Sequence, residues 1–329
     1  MLYSSFVAFA EINGFPELDC KDIIRFFVLQ IKFKKNLMAH KAGFVSIIGK
    51  PNAGKSTLMN QLVGEKMAII TPKAQTTRHR ILGIVNDENY QIVFSDTPGI
   101  IKPAYKLQEN MMGFVDSSLV DADILIFVTD INEKQDEEDV LEKLKKTTAK
   151  VLVVINKIDE SQNHLIEEKI IYWKEKLNPE GIVGVSALHD YNLQPIMSFI
   201  LENLPEHPAY YEKDELTDRS QRFFVSEMIR EKIFKFYKKE IPYSTEVIVT
   251  AFKEDKKIIK ISAEIIVERD SQKNIIIGAG GAMLKKVGTY AREDMETFLQ
   301  KKVFLEMFVK VIPDWRNRDN YLKNFGYSE

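Results

Sequence analysis

Four short stretches of this chain carry residue types and spacings suited to nucleotide chemistry. Gly49-Lys50-Pro51-Asn52-Ala53-Gly54-Lys55-Ser56, followed by Thr57, fits the phosphate-loop spacing GxxxxGK[ST]. Its glycines let a tight loop turn backbone N–H groups inward onto phosphate oxygens, and a helix opening there adds partial positive charge. In that frame Lys55 reaches the β- and γ-phosphates and Ser56 is a magnesium ligand. Asp96-Thr97-Pro98-Gly99 comes next, with Asp96 placed to hold the metal through water and the Gly99 N–H to sense the γ-phosphate. Asn156-Lys157-Ile158-Asp159 supplies base recognition. The Asp159 carboxylate accepts from guanine N1–H and the 2-amino group. Adenine lacks both donors and would leave a buried carboxylate unpaired, at ~1–3 kcal/mol. Asn156 ties this loop to the phosphate loop and the Lys157 stem lies along the base. Ser186-Ala187, after Val185, offers the Ala187 N–H to guanine O6.

Thr76 and Thr77 lie between the first two stretches. A threonine hydroxyl there completes a magnesium shell when a γ-phosphate is present and leaves when it is not, an order–disorder switch. Thr77 is the preferred ligand and Thr76 the alternative. GTP is thus the expected substrate and Mg²⁺ the expected cofactor. Hydrolysis also needs a positioned water. The residue after Gly99 is Ile100, where Ras-like proteins place a glutamine, and an isoleucine cannot polarise water. Slow intrinsic turnover is expected, and no catalytic residue is assigned.

A second candidate site is Gly278-Ala279-Gly280-Gly281, with Lys285 and Lys286 shortly after. Glycines allow close backbone approach to phosphates, and the lysines add screened attraction. By itself the loop reads equally as a glycine-rich helix start packed within an α+β domain. Phe223, Phe224, Phe234 and Phe236 read as core. Arg230, Lys235, Lys238 and Lys239 read as a solvated face that doubles as an RNA-facing one.

The elements that must position these residues follow from periodicity. Apolar runs at Gly43–Ile48, Ile81–Val85, Tyr90–Ser95, Ile124–Asp130, Val151–Ile155 and Ile182–Val185 read as strands, with a hairpin turn at 86–89. Helices read at 58–62, 136–146, 164–177 and 193–201. Strands alternating with helices imply βαβ units and a mostly parallel sheet. The texture then changes at Pro205-Glu206-His207-Pro208. Residues 221–329 read as helix Gln221–Lys239, strands Thr245–Phe252 and Ile258–Val267, two helices around the glycine loop, and strand Val303–Val311. The expected division is an extension over 1–40, an α/β nucleotide domain over 41–204, a linker over 205–220 and a smaller α+β domain over 221–329.

Composition narrows the class. The 329 residues are 45% hydrophobic and 29% charged, with a net charge of -2 and a mild positive excess in the C-terminal third. A lone Cys20 excludes an intrachain disulfide framework. No run approaches the ~18 apolar residues of a membrane span. Ile23–Ile31 followed by Lys32-Phe33-Lys34-Lys35 reverses the order of a secretory signal. The extension reads as a mis-assigned start, with Met38 as initiator, or as a surface-lying amphipathic segment.

These motifs, with Pro72-Lys73-Ala74-Gln75-Thr76-Thr77-Arg78-His79-Arg80, resemble the Era family of bacterial ribosome-assembly GTPases. So do Thr217–Phe224, Arg230-Glu231-Lys232-Ile233 and the ending from Asp314-Trp315-Arg316 to Tyr327. The similarity runs from about Ala42 to Tyr327. It implies a P-loop GTPase domain followed by a type II KH domain, which grips single-stranded RNA with a GxxG loop. A monomer in the cytoplasm is expected, the lone cysteine fitting a reducing compartment. By the resemblance, that monomer would bind small-subunit ribosomal RNA near its 3′ end during 30S maturation, with peripheral association to the inner face of the membrane. Ala279 departs from the family, which commonly has lysine there, and one phosphate contact is expected to be missing. A rival reading is a membrane-associated signalling GTPase whose second domain binds protein.

Overall fold

The computed structural model describes residues 40–133, 138–161 and 163–327. The expected extension over 1–40 lies outside the described residues except for His40, as does the start of the helix read at 136–146. The chain opens on strand β1 (Lys41–Ile48), helix α1 (Lys55–Val63), β2 (Ile81–Asn86) and β3 (Tyr90–Asp96). Then come α2 (Lys106–Asp121), β4 (Ile124–Asp130), α3 (Glu138–Lys146), β5 (Lys150–Asn156), α4 (Asn163–Leu177), β6 (Gly181–Gly184) and α5 (Gln194–Asn203). The six strands form one sheet in the order β2-β3-β1-β4-β5-β6, parallel except for β2, which pairs antiparallel with β3. Central strands such as Ile124–Asp130 are apolar on both faces because helices cover both sides.

Sequence periodicity missed α2. Its N-terminus at Tyr105 has no side-chain cap, and Gly113, Ser117 and Ser118 interrupt the apolar stripe. Burial of Leu107, Met111 and Val115 holds it in place instead.

The C-terminal part is α6 (Gln221–Phe236), β7 (Glu246–Glu254), β8 (Ile258–Val267), α7 (Asp270–Ile277), α8 (Ala282–Leu299), β9 (Lys302–Val311) and a short α9 (Asp319–Asn324). Its sheet runs β7-β8-β9, with β7 and β8 antiparallel and β8 and β9 parallel. The α-β-β-α-α-β order matches the sequence reading. The fold is a P-loop GTPase domain followed by a KH domain.

Two expectations need correction. Helix α6 ends at Phe236, not Lys239. Tyr237 turns extended and buries its ring, its hydroxyl donating to the Ile276 carbonyl at 2.6 Å. Arg230 is not on a solvated face: it is 0% exposed, paired with Glu227. Lys235, Lys238 and Lys239 are exposed. The stretch read as a linker is laid along the outer edge of the larger sheet. The Ile84 N–H donates to the Leu216 carbonyl (2.8 Å), and Gln91 Oε1 accepts from the amides of Tyr210 and Tyr211 (2.7 and 3.0 Å). It thereby covers an edge strand that would otherwise offer unpaired backbone groups.

Candidate functional site

At the C-terminal ends of β1, β3 and β5 a cavity of about 500 Å³ opens. From the phosphate loop it is lined by Pro51, Asn52, Gly54, Lys55, Ser56 and Thr57. From the later segments it takes Thr76, Thr77, Gly99, Asn156, Lys157, Asp159 and Ser186. The loop's shape is enforced by close approach. Gly54 has φ 96°, and a Cβ there would lie 2.1 Å from Asn156 Nδ2. A Cβ on Gly99 would lie 2.6 Å from the Pro51 nitrogen, which brings the Asp96–Gly99 turn against the phosphate loop.

Ser56, Thr77 and Asp96 converge. Ser56 Oγ donates to Asp96 Oδ2 at 2.6 Å and stands 2.8 Å from Thr77 Oγ1, which itself donates to Asp96 Oδ2 at 3.3 Å. Asp96 is 0% exposed and its Oδ1 has no hydrogen-bond partner among the described residues. An orphaned, buried carboxylate oxygen beside two hydroxyls fits a hard cation that takes few protein oxygens and completes its shell with water and phosphate. Burial pushes the Asp96 carboxyl upward, against the opposing pull of Lys55. Thr76, the alternative, turns its hydroxyl away, donating to the Lys73 carbonyl at 2.7 Å.

Lys55 is buried, and its ammonium donates to the Lys50 carbonyl at 2.8 Å. Burial lowers its pKa to about 8 despite Asp96 and Glu133. A phosphate in the cavity would restore the charge that burial disfavours. Lys50 itself pairs with Glu133 at 3.1 Å.

Asn156 does tie two loops together: its Nδ2 donates to the Ala53 carbonyl (2.8 Å) and its Oδ1 accepts the Ala187 N–H (3.0 Å). That second bond corrects an expectation, since the Ala187 amide is spent on Asn156 rather than aimed at a base. Ser186 Oγ is buried without a partner. Lys157 stands at φ 62° with its ammonium on Asp130 Oδ2 at 2.6 Å, which lays its stem beside the cavity. His189 Nε2 lies 3.6 Å from Asp159 Oδ2.

Gly49, Lys50, Ala53, Asp96, Thr97, Pro98, Ile100 and Ala187 are not among the residues that line the cavity. Thr97 Oγ1 donates to the Ile47 carbonyl at 2.9 Å. Ile100 packs its side chain into the apolar cluster with Ile48, Leu107 and Met111, and only its N–H reaches the phosphate loop, at the Gly49 carbonyl (3.1 Å). Sequence reasoning missed Ile70 and Leu188, exposed apolar residues on the cavity rim. Their only sequence signal was position beside a motif.

The glycine loop connects α7 to α8. Gly278, Gly280 and Gly281 all have positive φ (73°, 57° and 77°), which other residues rarely adopt. Ala279 is exposed at the tip. Beside it a cleft of about 400 Å³ runs between α8 and β9, lined by Gly281, Lys285, Gly288, Thr289, Arg292 and Met307 among others. Lys285 faces this cleft. Lys286 instead sits over the Phe236 ring, 4.6 Å from its centroid. Arg292, missed in the sequence, occupies the cleft two turns along α8.

Comparison with known proteins finds relatives of both domains. A family model described as a 50S ribosome-binding GTPase matches residues 44–157, and one described as a KH domain matches residues 240–316. The chain is 42% identical to the GTPase Era of Clostridium kluyveri over 87% of its own length and 99% of that protein. It is 44% identical to that of Staphylococcus haemolyticus over 88% and 98%. Among solved structures, Era in complex with MgGDPNP and nucleotides 1506-1542 of 16S ribosomal RNA superposes with a TM-score of 0.85 at 40% identity, covering 88% of this chain and all of that one. A variant of Aquifex aeolicus Era bound to GDP.AlF4- gives 0.84 at 39% identity over 88% of this chain and all of that one. With both modules present and relatives matched along almost their whole length, the chain belongs to the Era family of GTPases.

Proposed function

We propose that this protein is a slow GTP-driven switch. In this reading it binds small-subunit ribosomal RNA near its 3′ end through the Gly278–Gly281 loop and the α8–β9 cleft, in the maturation of the 30S subunit. Residues 41–204 hold the nucleotide and residues 221–329 hold the RNA. The observation that carries the reading is the match, over 88% of this chain, to an Era structure containing MgGDPNP and a 16S rRNA segment together.

Ser56, Thr77 and, through water, Asp96 would hold magnesium, which on binding neutralises charge on the β- and γ-phosphates. Lys55 and the phosphate-loop amides bind and orient those phosphates. Asp159 and Ser186 select the base, with the Lys157 stem along its face. Turnover is slow because Ile100 packs into the core and positions no water. No helix among the described residues is long and apolar enough to cross a membrane. A monomer in the cytoplasm, associating peripherally with the inner membrane face, belongs to the same proposal.

Binding of an RNA oligonucleotide from the 3′ end of 16S rRNA, measured with a GTP analogue and with GDP, tests the function. Tighter binding with the analogue supports the switch. Equal binding removes the coupling, and no preference over a scrambled RNA removes the RNA assignment. Single-turnover GTP hydrolysis as fast as that of an efficient hydrolase would overturn the expectation of slow turnover.

A further inference from the structure

The segment between α1 and β2 faces two ways. Inward, Thr77 Oγ1 stands 2.8 Å from Ser56 Oγ. Outward, the same segment is gripped by the C-terminal domain. Lys73 donates to the Phe234 and Tyr237 carbonyls at the end of α6. The Thr76 carbonyl, one residue before the ligand threonine, accepts from the Arg230 guanidinium. Arg78, one residue after it, donates to the carbonyls of Thr245 (2.8 Å), Pro242 (3.0 Å) and Tyr243 (3.2 Å) and to Glu246 Oε2 (3.0 Å). Arg230 has no freedom of its own: it is buried, and Glu227 holds it through both carboxylate oxygens, Nε to Oε1 at 2.7 Å. Thr77 is therefore bracketed by two guanidinium contacts between the domains: Arg230 of the C-terminal domain on the Thr76 carbonyl, and its own neighbour Arg78 on the C-terminal domain's carbonyls and Glu246.

We infer that Arg230 is a positioning residue for Thr77, so that the C-terminal domain holds the switch threonine in its magnesium-ligating place and raises the affinity for magnesium-bound GTP relative to GDP. This rests on the proposed role of Thr77 as a magnesium ligand. A loop left free must lose conformational entropy when a γ-phosphate orders it. A loop already held at Thr76 and Arg78 has lost most of that entropy beforehand, and the ligand's binding energy is not spent on it. GDP, which does not call on Thr77, gains nothing from the same contacts.

The experiment uses the full chain and reads binding of a fluorescent non-hydrolysable GTP analogue and of fluorescent GDP, both with magnesium. In Arg230→Met, analogue binding is expected to weaken roughly tenfold or more, as expected for a lost charged hydrogen bond, while GDP binding changes less than about twofold. Arg230→Lys should recover part of the loss. In a Thr77→Ala background, Arg230→Met should add nothing, because the two act through one contact. If Arg230→Met does not fold by circular dichroism, Glu227→Gln, which frees the guanidinium without touching the loop, carries the same expectation in weaker form. Equal losses for both nucleotides, no change in either, or additive losses with Thr77→Ala would overturn the inference. If Thr77→Ala alone leaves the analogue-to-GDP ratio unchanged, the ligand role fails first and takes the inference with it.

Discussion

At the scale of single residues, the site works by leaving selected groups unsatisfied. Asp96 Oδ1 and Ser186 Oγ are buried without partners among the described residues, and Lys55 is buried against its charge. Each deficit is one that a magnesium nucleotide would remedy. In the proposed function Asp159 is the residue that selects guanine. Asp159→Asn exchanges an acceptor for a donor facing guanine N1–H and should weaken GTP about ten- to a hundredfold in nucleotide competition, while leaving the thermal midpoint of the nucleotide-free protein close to wild type. His79 lies at the junction between the domains, its ring stacked 4.3 Å from that of Tyr327. Burial, then the nearby cations Arg219, Arg230 and Arg78, hold its pKa well below the ordinary 6.5. The unfolded chain therefore takes up a proton that the folded one refuses. Stability contributed by neutral His79 is present above about pH 6.5 and lost as pH falls below it, at ~1.4 kcal/mol per pH unit until the folded-state pKa is reached. Denaturant midpoints between pH 5 and 8 should show this acid loss, and His79→Phe, which keeps the stacked ring, should flatten it.

At the scale of elements, the two glycine loops do different work. The phosphate loop is walled in by Asn156, Val128 and the Asp96–Gly99 turn, so that its glycines answer to space as well as φ. In the α7–α8 loop, a Cβ at Gly280 or Gly281 would meet open space, and only the positive φ demands glycine there. Ala279 at the tip can therefore take a longer side chain without a packing cost. Ala279→Lys should tighten binding of the RNA oligonucleotide a few-fold and steepen the fall of log affinity with log salt by about 0.7, since one more phosphate is neutralised on a single strand. Helix α6 shows how an element's end can depend on another domain. Its last carbonyls are capped by Lys73, a residue of the segment between α1 and β2, far away in sequence. No local signal at Phe236 announced that cap, whereas the charged run Lys238-Lys239 read as more helix.

At the scale of the whole molecule, the two domains are not beads on a string. Lys106 of α2 pairs with Asp319 at 2.6 Å, and Arg316 sits over the Tyr105 ring at 4.7 Å from its centroid. Trp315 and Tyr327, from the chain's end, fall in one apolar cluster with Leu107 and Met111. Buried charges stitch the same junction, where Glu246 accepts from both Arg78 and the Tyr327 hydroxyl. Removing one partner of a buried pair leaves the other uncompensated, at about 3–5 kcal/mol. Arg78→Ala should therefore destabilise by that order and split unfolding into two calorimetric transitions, one per domain, where the parent shows one.

The chemistry-bearing motifs were legible in the chain alone because each is local. Four short loops at strand ends carry the residue types and spacings suited to phosphate, metal and base contacts, and the alternating strands and helices specify the sheet that carries them. The α-β-β-α-α-β order of the second domain was legible for the same reason. What only the tertiary structure decided are the relations between distant segments: Thr77 rather than Thr76 beside Asp96, the Ala187 amide spent on Asn156, Ile100 turned into the core, and Arg230 buried rather than solvated. Arg230 carries its lesson in its charge. An arginine on an amphipathic helix reads as a solvated face, and here Glu227 and the Thr76 carbonyl replace the water its Nε and Nη2 gave up, while Nη1 is buried without a partner among the described residues. That carbonyl comes from the opposite half of the chain, where no local pattern could announce it.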